Sequence, residues 1–158
     1  MNSSETLSRL RVVDLTSRMG GYCGLLLANL GAEVILVEPP DGDPMRGQEP
    51  FQNDVPHPEG SLSFAAYHNN KHGIVLDLKN ERQRETLREL LRFADVLVED
   101  QSKGTLEQLG LGYTSLKSLN PALVVTSISG FGLSGPYCTF KAPNLVAFAM
   151  GGLMNLCG

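Results

Sequence analysis

The stretch RLRVVDLTSRMGGYCGLLLANLGAEVILVE, residues 9–38, decides the fold of this chain. Its first part, residues 9–15, is short, apolar and rich in β-branched side chains, which predicts a β-strand. The glycine-rich MGGYCG then predicts a tight turn, and LLLANLG predicts a helix that ends at Gly31. Residues 32–38 are almost continuously apolar, as in strands that are buried on both faces of a parallel sheet. The stretch is therefore a predicted β-α-β unit.

The same alternation of strands and helices continues along the rest of the chain. Residues 39–60 are rich in proline and polar residues and predict a long loop, of a kind that is usually functional or mobile. We predict one domain, residues 1–158, with an α/β fold: a doubly wound, mainly parallel sheet of about five strands flanked by helices. The further predicted strands lie at 73–78, at 95–100 and in 121–132, where the strand runs into a glycine turn. The further predicted helices are a short one in SLSFAAYHNN (61–70), an amphipathic one capped by Asn80, helical turns in LEQLG and SLKSL, and an apolar final helix, NLVAFAMGGLMNL (144–156).

Composition and charge exclude several classes of partner. The formal net charge is −4 and the pI is near 5.3. We expect neither nucleic acid nor an anionic membrane as the main partner, because both require a concentrated basic patch. The three cysteines form no CxxC pair, which is typical of a reduced cytosolic protein without structural zinc. With no signal-peptide pattern and no apolar run of roughly 20 residues, we expect a soluble, cytoplasmic protein.

In doubly wound sheets, ligands bind beyond the carboxyl ends of the strands. The first such loop contains Gly20, Gly21 and Gly24, and Glu38 ends the following strand. Glycines there let phosphates approach backbone amides at a helix N-terminus, and an acid further on can bind a ribose. The spacing is not GxGxxG, so NAD or FAD, another nucleotide-bearing ligand and plain turn chemistry all remain open. The candidate site loops are 16–24, 39–60, 68–73, 99–104 and 130–143.

The segment HNNKH places His68 and His72 four residues apart, with Lys71 between them. On a helix the two imidazoles could hold a metal, but Asn69 and Asn70 favour a turn. Lys71 could contact a phosphate as a point charge, or it could be an ordinary exposed lysine.

A second glycine-rich loop, SISGFGLSGPY (127–137), contains Gly130, Gly132 and Gly135. Such a loop allows positive φ angles and a close approach of backbone N–H groups to a carbonyl or thioester oxygen. The alternative is a tight loop without chemical consequence. Cys23 and Cys138 have no evident histidine or acidic partner in the sequence, and we expect each to be a small buried apolar residue.

Several segments in order resemble the family III CoA-transferases, the group that also contains the α-methylacyl-CoA racemases. The resemblance covers residues 10–158. The matching segments are LLLANLGAEVILVEPPDGDPMR, NNKHGIVLDLKNERQRETLRELLRFADVLVED and LEQLGLGYTSLKSLNPALVVTSISGFGLSGPY.

The resemblance implies a Rossmann-like domain that binds the adenosine and diphosphate end of CoA, in an enzyme that acts as a homodimer. Its substrates would be an acyl-CoA and a carboxylic acid, without a metal, and CoA would pass through an aspartyl-CoA thioester. The family's nucleophilic aspartate lies shortly after the segment that residues 144–158 match. We therefore expect this chain to be the N-terminal, CoA-binding portion of a longer protein and to be inactive alone.

The departures from the family pattern concern residues near the expected ligand. Asn144 stands where many relatives carry an acid, and CTFKAPN lacks the histidine of the racemases, which disfavours a racemase-like enzyme. Asp100, Gln101 and Gln108 stand where transferases often have Asn, Phe and Arg. A non-catalytic CoA-binding or assembly module therefore remains an alternative, and a nicotinamide dehydrogenase is a third. The expected cofactor-binding residues are Gly20, Gly21, Arg46, Lys71, Asp100 and Lys141; Gly130, Gly132 and Gly135 form the expected active-site loop.

Overall fold

The core of the domain is a five-stranded sheet in which all strand pairs are parallel. The structure is a computed structural model that describes residues 6–157. The strand order is β3-β2-β1-β4-β5, so the chain order reverses between β1 and β4. The α/β, Rossmann-like prediction is confirmed. The strands are β1 (Arg11–Leu15), β2 (Glu33–Glu38), β3 (His72–Val75), β4 (Val96–Glu99) and β5 (Val124–Ser127).

Helices connect the strands, and most lie where the sequence predicts them. They are α1 (Gly21–Asn29), α2 (Leu62–His68), α3 (Glu81–Phe93), α4 (Thr105–Gln108), α5 (Tyr113–Leu119), α6 (Asn144–Met150) and α7 (Leu153–Cys157). The predicted cap is present, because the Asn80 side chain accepts a hydrogen bond from the Arg82 N–H. The long loop after β2 contains two short 3₁₀ turns, at Pro44–Gly47 and Gln52–Asp54.

Four predicted boundaries are wrong. The fifth strand covers only Val124–Ser127 of the predicted stretch 121–132. α1 begins at Gly21, inside the stretch that was predicted as a turn, and β3 ends at Val75 rather than at residue 78. The predicted single final helix is two helices, because the chain turns at Gly151 and Gly152, where Gly152 has a φ of +79°. Glycine adopts such a φ without steric cost, so a pair of glycines ends a helix readily.

The sheet is buried on both faces, as the apolar strands predict. Along β1, Val12 packs with the α1 side of the sheet, together with Val34 and Val98. Its neighbour Val13 points to the other face, where Leu87 and other residues of α3 and α5 form the larger cluster. Since successive strand residues point to opposite faces, this alternation places one helical layer on each side. No helix among residues 6–157 combines the length and the apolar character that crossing a membrane requires.

The last two helices differ from the rest of the domain in their exposure. Leu145 on α6 and Leu156 on α7 are 70% and 81% exposed, and Phe148 and Met150 are also exposed. This apolar surface is not covered by other described residues of the chain.

Candidate functional site

A buried ion pair lies beneath the start of α1. Asp14, at 0% exposure, is the last but one residue of β1 and accepts a hydrogen bond from Lys71 Nζ at 2.8 Å. The Lys71 side chain is 1% exposed. Its ammonium also donates to the Gly21 carbonyl at 2.9 Å. The hypothesis of an ordinary exposed lysine is therefore wrong, and a phosphate could reach this ammonium only by displacing its partners.

His68, the last residue of α2, is the third partner of this ammonium. Its Nδ1 lies 3.0 Å from Lys71 Nζ. Because an ammonium only donates, Nδ1 accepts and Nε2 carries the proton; Nε2 is buried without a hydrogen-bond partner among the described residues. Burial, followed by the charge of Lys71, lowers the pKa of His68. His72 is exposed at the start of β3, and residues 6–157 contain no group of three potential ligands for a metal.

The turn before α1 holds the carboxylate of Asp100, the residue that follows β4. One oxygen, Asp100 Oδ2, accepts hydrogen bonds from the backbone N–H groups of Ser17 at 3.0 Å, Met19 at 3.1 Å and Gly20 at 3.2 Å. The turn therefore has the N–H geometry of an anion cradle, and the anion in it is a side chain of the same chain.

The glycines of this turn accommodate the chain's own side chains. A Cβ on Gly20 would collide with the Thr16 side chain, and one on Gly24 would collide with the Asp14 carboxylate. A Cβ on Gly21 would lie 3.1 Å from His68 Cε1. The close approach that the glycines were predicted to provide is thus present, and it is made by Thr16, Asp14 and His68.

Glu38, the acid at the end of β2, is engaged by Arg46. The guanidinium binds both carboxylate oxygens, with Nε 2.6 Å from Oε2 and Nη2 2.8 Å from Oε1. The Arg46 hydrogen bond is the largest cause that lowers the pKa of Glu38, and the same contact raises the pKa of Arg46. Arg46 Nη1 also donates to Glu59, and its guanidinium lies over the Phe64 ring at 3.8 Å. Arg46 was predicted to bind the cofactor, but its guanidinium already has these partners within the chain.

An open cavity of about 700 Å³ lies beyond the carboxyl ends of β1, β2 and β3. Leu15, Val37 and Leu76 supply apolar lining, and Gln101 lies beside it after β4. Lys79 is an exposed cation in the lining. It was not predicted, because the residues after the third strand were not among the candidate site loops. The other lining residues are Glu38, Pro39, Pro40, Asp41, Asp77, Leu78, Thr105, Gln108 and Leu109.

The second glycine loop has the predicted backbone conformation. Gly132 and Gly135 have φ angles of +78° and +89°, and a Cβ on Gly130 would collide with Ala142. Lys141 and Asn144 are exposed, and Asn144 is the first residue of α6. A second cavity of about 400 Å³, lined by Lys103 and Leu133 among others, adjoins this loop.

The predicted site residues therefore fall into separate groups. Gly20, Gly21, Lys71 and Asp100 meet at the turn before α1, where Ser17 links them to the Glu38–Arg46 pair through a 3.2 Å hydrogen bond from its Oγ to Asp43 Oδ1. Lys141 and Asn144 make no hydrogen bond or ion pair to this group among the described residues.

The chain is similar to known CoA-transferases over almost its full length. It is 40% identical over 154 residues to succinyl-CoA:(R)-benzylsuccinate CoA-transferase subunit BbsE of Thauera aromatica, covering 98% of this chain and 38% of that protein. It is 42% identical over 157 residues to formyl-CoA:oxalate CoA-transferase of Streptomyces coelicolor, covering 99% of this chain and 37% of that protein.

The fold of the chain is also similar to that of a solved structure. The crystal structure of a CAIB/BAIF family protein from Brucella suis superposes with a TM-score of 0.87 at 37% sequence identity, over 96% of this chain and 40% of that one. The chain spans about two-fifths of the length of the relatives it matches. The family model of CoA-transferase family III matches residues 7–158. The chain therefore belongs to CoA-transferase family III.

Proposed function

We propose that this chain supplies the CoA-binding domain of an enzyme that transfers CoA between acyl-CoA thioesters and carboxylic acids. The observation that carries the proposal is the 700 Å³ cavity at the carboxyl ends of β1, β2 and β3, in a chain of this family. A cavity of this size is within the range of cofactor sites, and its position is where doubly wound sheets bind nucleotides.

The lining supplies the polar groups that a nucleotide with phosphates requires. Lys79 is the cation among the described lining residues, and its flexible ammonium suits a phosphate as a point charge. The amides of Gln101 and Gln108, which also line the cavity, can donate and accept hydrogen bonds. Three of the predicted cofactor-binding residues would stabilise the loops around this site rather than contact the ligand, because each already has partners within the chain. These residues are Arg46, Lys71 and Asp100. Lys141 and the glycine loop with Gly130, Gly132 and Gly135 stay candidates for the thioester side of the ligand.

The covalent step needs a carboxylate nucleophile. From the family resemblance we expect that aspartate beyond the segment matched by residues 144–158, and we therefore propose that the whole protein carries out the transfer while this domain binds CoA. Asn144, an amide without an acidic proton near neutral pH, would offer only hydrogen bonds near the thioester. We also propose a homodimer, which the exposed apolar residues of α6 and α7 support.

The test is calorimetric titration of CoA into the full-length protein and into Lys79→Met. We expect CoA binding to the parent protein and about 10- to 100-fold weaker binding to the variant, because a hydrogen bond to a charged group contributes roughly 1.5–3 kcal/mol. Arg92→Met, which removes an exposed cation on α3 that is not part of the cavity lining, is the control of equal charge change. Absence of CoA binding, or equal affinities for the two variants, would contradict the proposal.

The alternative, a non-catalytic CoA-binding or assembly module, is favoured by one observation. Gln108 lies in the cavity at the position where related transferases often carry arginine, and a neutral amide makes a weaker phosphate contact. CoA binding combined with no CoA transfer by the full-length protein would support this alternative. NAD, titrated under the same conditions, tests the dehydrogenase hypothesis.

A further inference from the structure

The two polar groups that a dinucleotide would contact in this domain already have hydrogen-bond partners within the chain. In dinucleotide-binding folds, the pyrophosphate lies on backbone N–H groups at the start of the first helix, and an acid after the second strand binds the ribose. Here the N–H groups of Ser17, Met19 and Gly20 converge on Asp100 Oδ2. The acid, Glu38, has both of its oxygens bound by Arg46.

We propose that Asp100 is a specificity-determining residue: its carboxylate takes the place of a ligand anion at the turn before α1 and excludes diphosphate groups from that turn. Two effects act together. The carboxylate oxygen already occupies the point on which three N–H donors converge, and its charge repels any second anion that approaches. Diphosphate-bearing ligands are thereby confined to the neighbouring cavity, which Gln101 lines; the Gln101 amide donates to the Leu15 carbonyl at 3.0 Å.

Buried neighbours fix both the Asp100 carboxylate and the backbone N–H groups that it contacts. Asp100 directly follows Glu99, the last residue of β4, and Glu99 is 4% exposed and accepts a hydrogen bond from the Gln101 N–H at 2.8 Å. On the other side, Gly20 packs against Thr16 so closely that no side chain fits there. The donors and the acceptor are therefore both held by buried neighbours.

The experiment removes the charge of the carboxylate in one variant and the whole group in another, and then offers inorganic anions to the N–H donors of the turn. The proteins are the full-length parent, Asp100→Asn, Asp100→Ala and the control Glu89→Ala, which removes an exposed carboxylate of α3. Thermal unfolding is followed at fixed ionic strength with increasing pyrophosphate or acetate, because screening alone must not change between samples. These probes contain no CoA, so the result is independent of the CoA-binding proposal.

For Asp100→Asn we expect saturable stabilisation by pyrophosphate, with an affinity roughly tenfold or more above that of the parent, because the like-charge repulsion is gone. For Asp100→Ala we expect acetate to stabilise as well, since its carboxylate fits the vacated position. The parent and Glu89→Ala should show only the weaker pyrophosphate binding of the neighbouring cavity and no response to acetate. Parent protein that binds pyrophosphate as tightly as Asp100→Asn, or an Asp100→Asn variant without any gain, overturns the proposal. If Asp100→Ala does not fold, the asparagine variant decides alone.

Discussion

Replacing Lys71 by methionine should cost the domain a large part of its stability. Methionine keeps most of the length and apolar character of the lysine stem but removes the ammonium. Asp14, at 0% exposure, would then be a buried carboxylate whose remaining hydrogen bonds come from Thr16, through its N–H at 2.9 Å and its Oγ1 at 2.5 Å. The Gly21 carbonyl would also lose its 2.9 Å donor from this ammonium.

The size of the effect follows from burial. Removing one partner of a buried ion pair typically costs about 3–5 kcal/mol, because the other charge remains without compensation. A domain of this size is stable by roughly 5–15 kcal/mol, so Lys71→Met should remove about a fifth or more of that stability. In contrast, Lys79→Met removes an exposed lysine at the cavity and should change the free energy of unfolding by less than about 0.5 kcal/mol.

The assay is urea unfolding at pH 7, followed by circular dichroism, for the single variants Lys71→Met, Asp14→Asn and Lys79→Met and for the double variant Asp14→Asn with Lys71→Met. Since the asparagine amide has no charge to compensate, the double variant should be less destabilised than the sum of the single Asp14 and Lys71 variants, with a coupling energy of about 1–3 kcal/mol. A cost below about 1 kcal/mol for Lys71→Met, or strict additivity in the cycle, would refute the assignment of a buried, mutually dependent pair.

Two further predictions concern the same region. Gly24→Ala should cost roughly 1–3 kcal/mol in urea unfolding, because its methyl group would collide with the Asp14 carboxylate, whereas Gly47→Ala, which has open space at that position, should stay near the parent value. The lowered pKa of His68 means that below its unfolded value of about 6.5 the unfolded chain binds a proton that the native chain does not. Stability should therefore rise with pH through that window and be lost as the pH falls below about 6.5; His68→Gln, which does not titrate, should flatten this slope, and an unchanged slope would show that His68 is not its source.

The fold could be predicted from the sequence because its signals are local. Each buried strand is a short apolar run, and the β-α-β order together with the handedness of parallel crossovers leaves few possible topologies. The errors arose where a backbone conformation overrides an apolar pattern. Residues 144–156 are apolar enough for one helix, yet the positive φ of Gly152 turns the chain, and the strand that begins at His72 stops at Val75 although residues 76–78 include two further leucines.

The site could be predicted only in its residue types, since its partners lie far apart in sequence. Lys71 and Asp14 are separated by 57 positions and Gly20 and Asp100 by 80. A lysine near a strand and glycines before a helix fit phosphate binding and internal pairing equally well, and only burial distinguishes them. Here the Lys71 side chain is 1% exposed, so its ammonium stabilises the turn.

This distinction changes what should control ligand affinity. When the cations and amides of the first turn are held by the chain's own carboxylates, a phosphate gains little by approaching them, because it must displace an intramolecular partner of the same charge. Electrostatic attraction for the ligand then comes mainly from groups that remain open to solvent, of which Lys79 is the one in the cavity lining. A single exposed cation is strongly screened, so CoA affinity should fall steeply with ionic strength if the Lys79 contact dominates, and weakly if the apolar lining of Leu15, Val37 and Leu76 does.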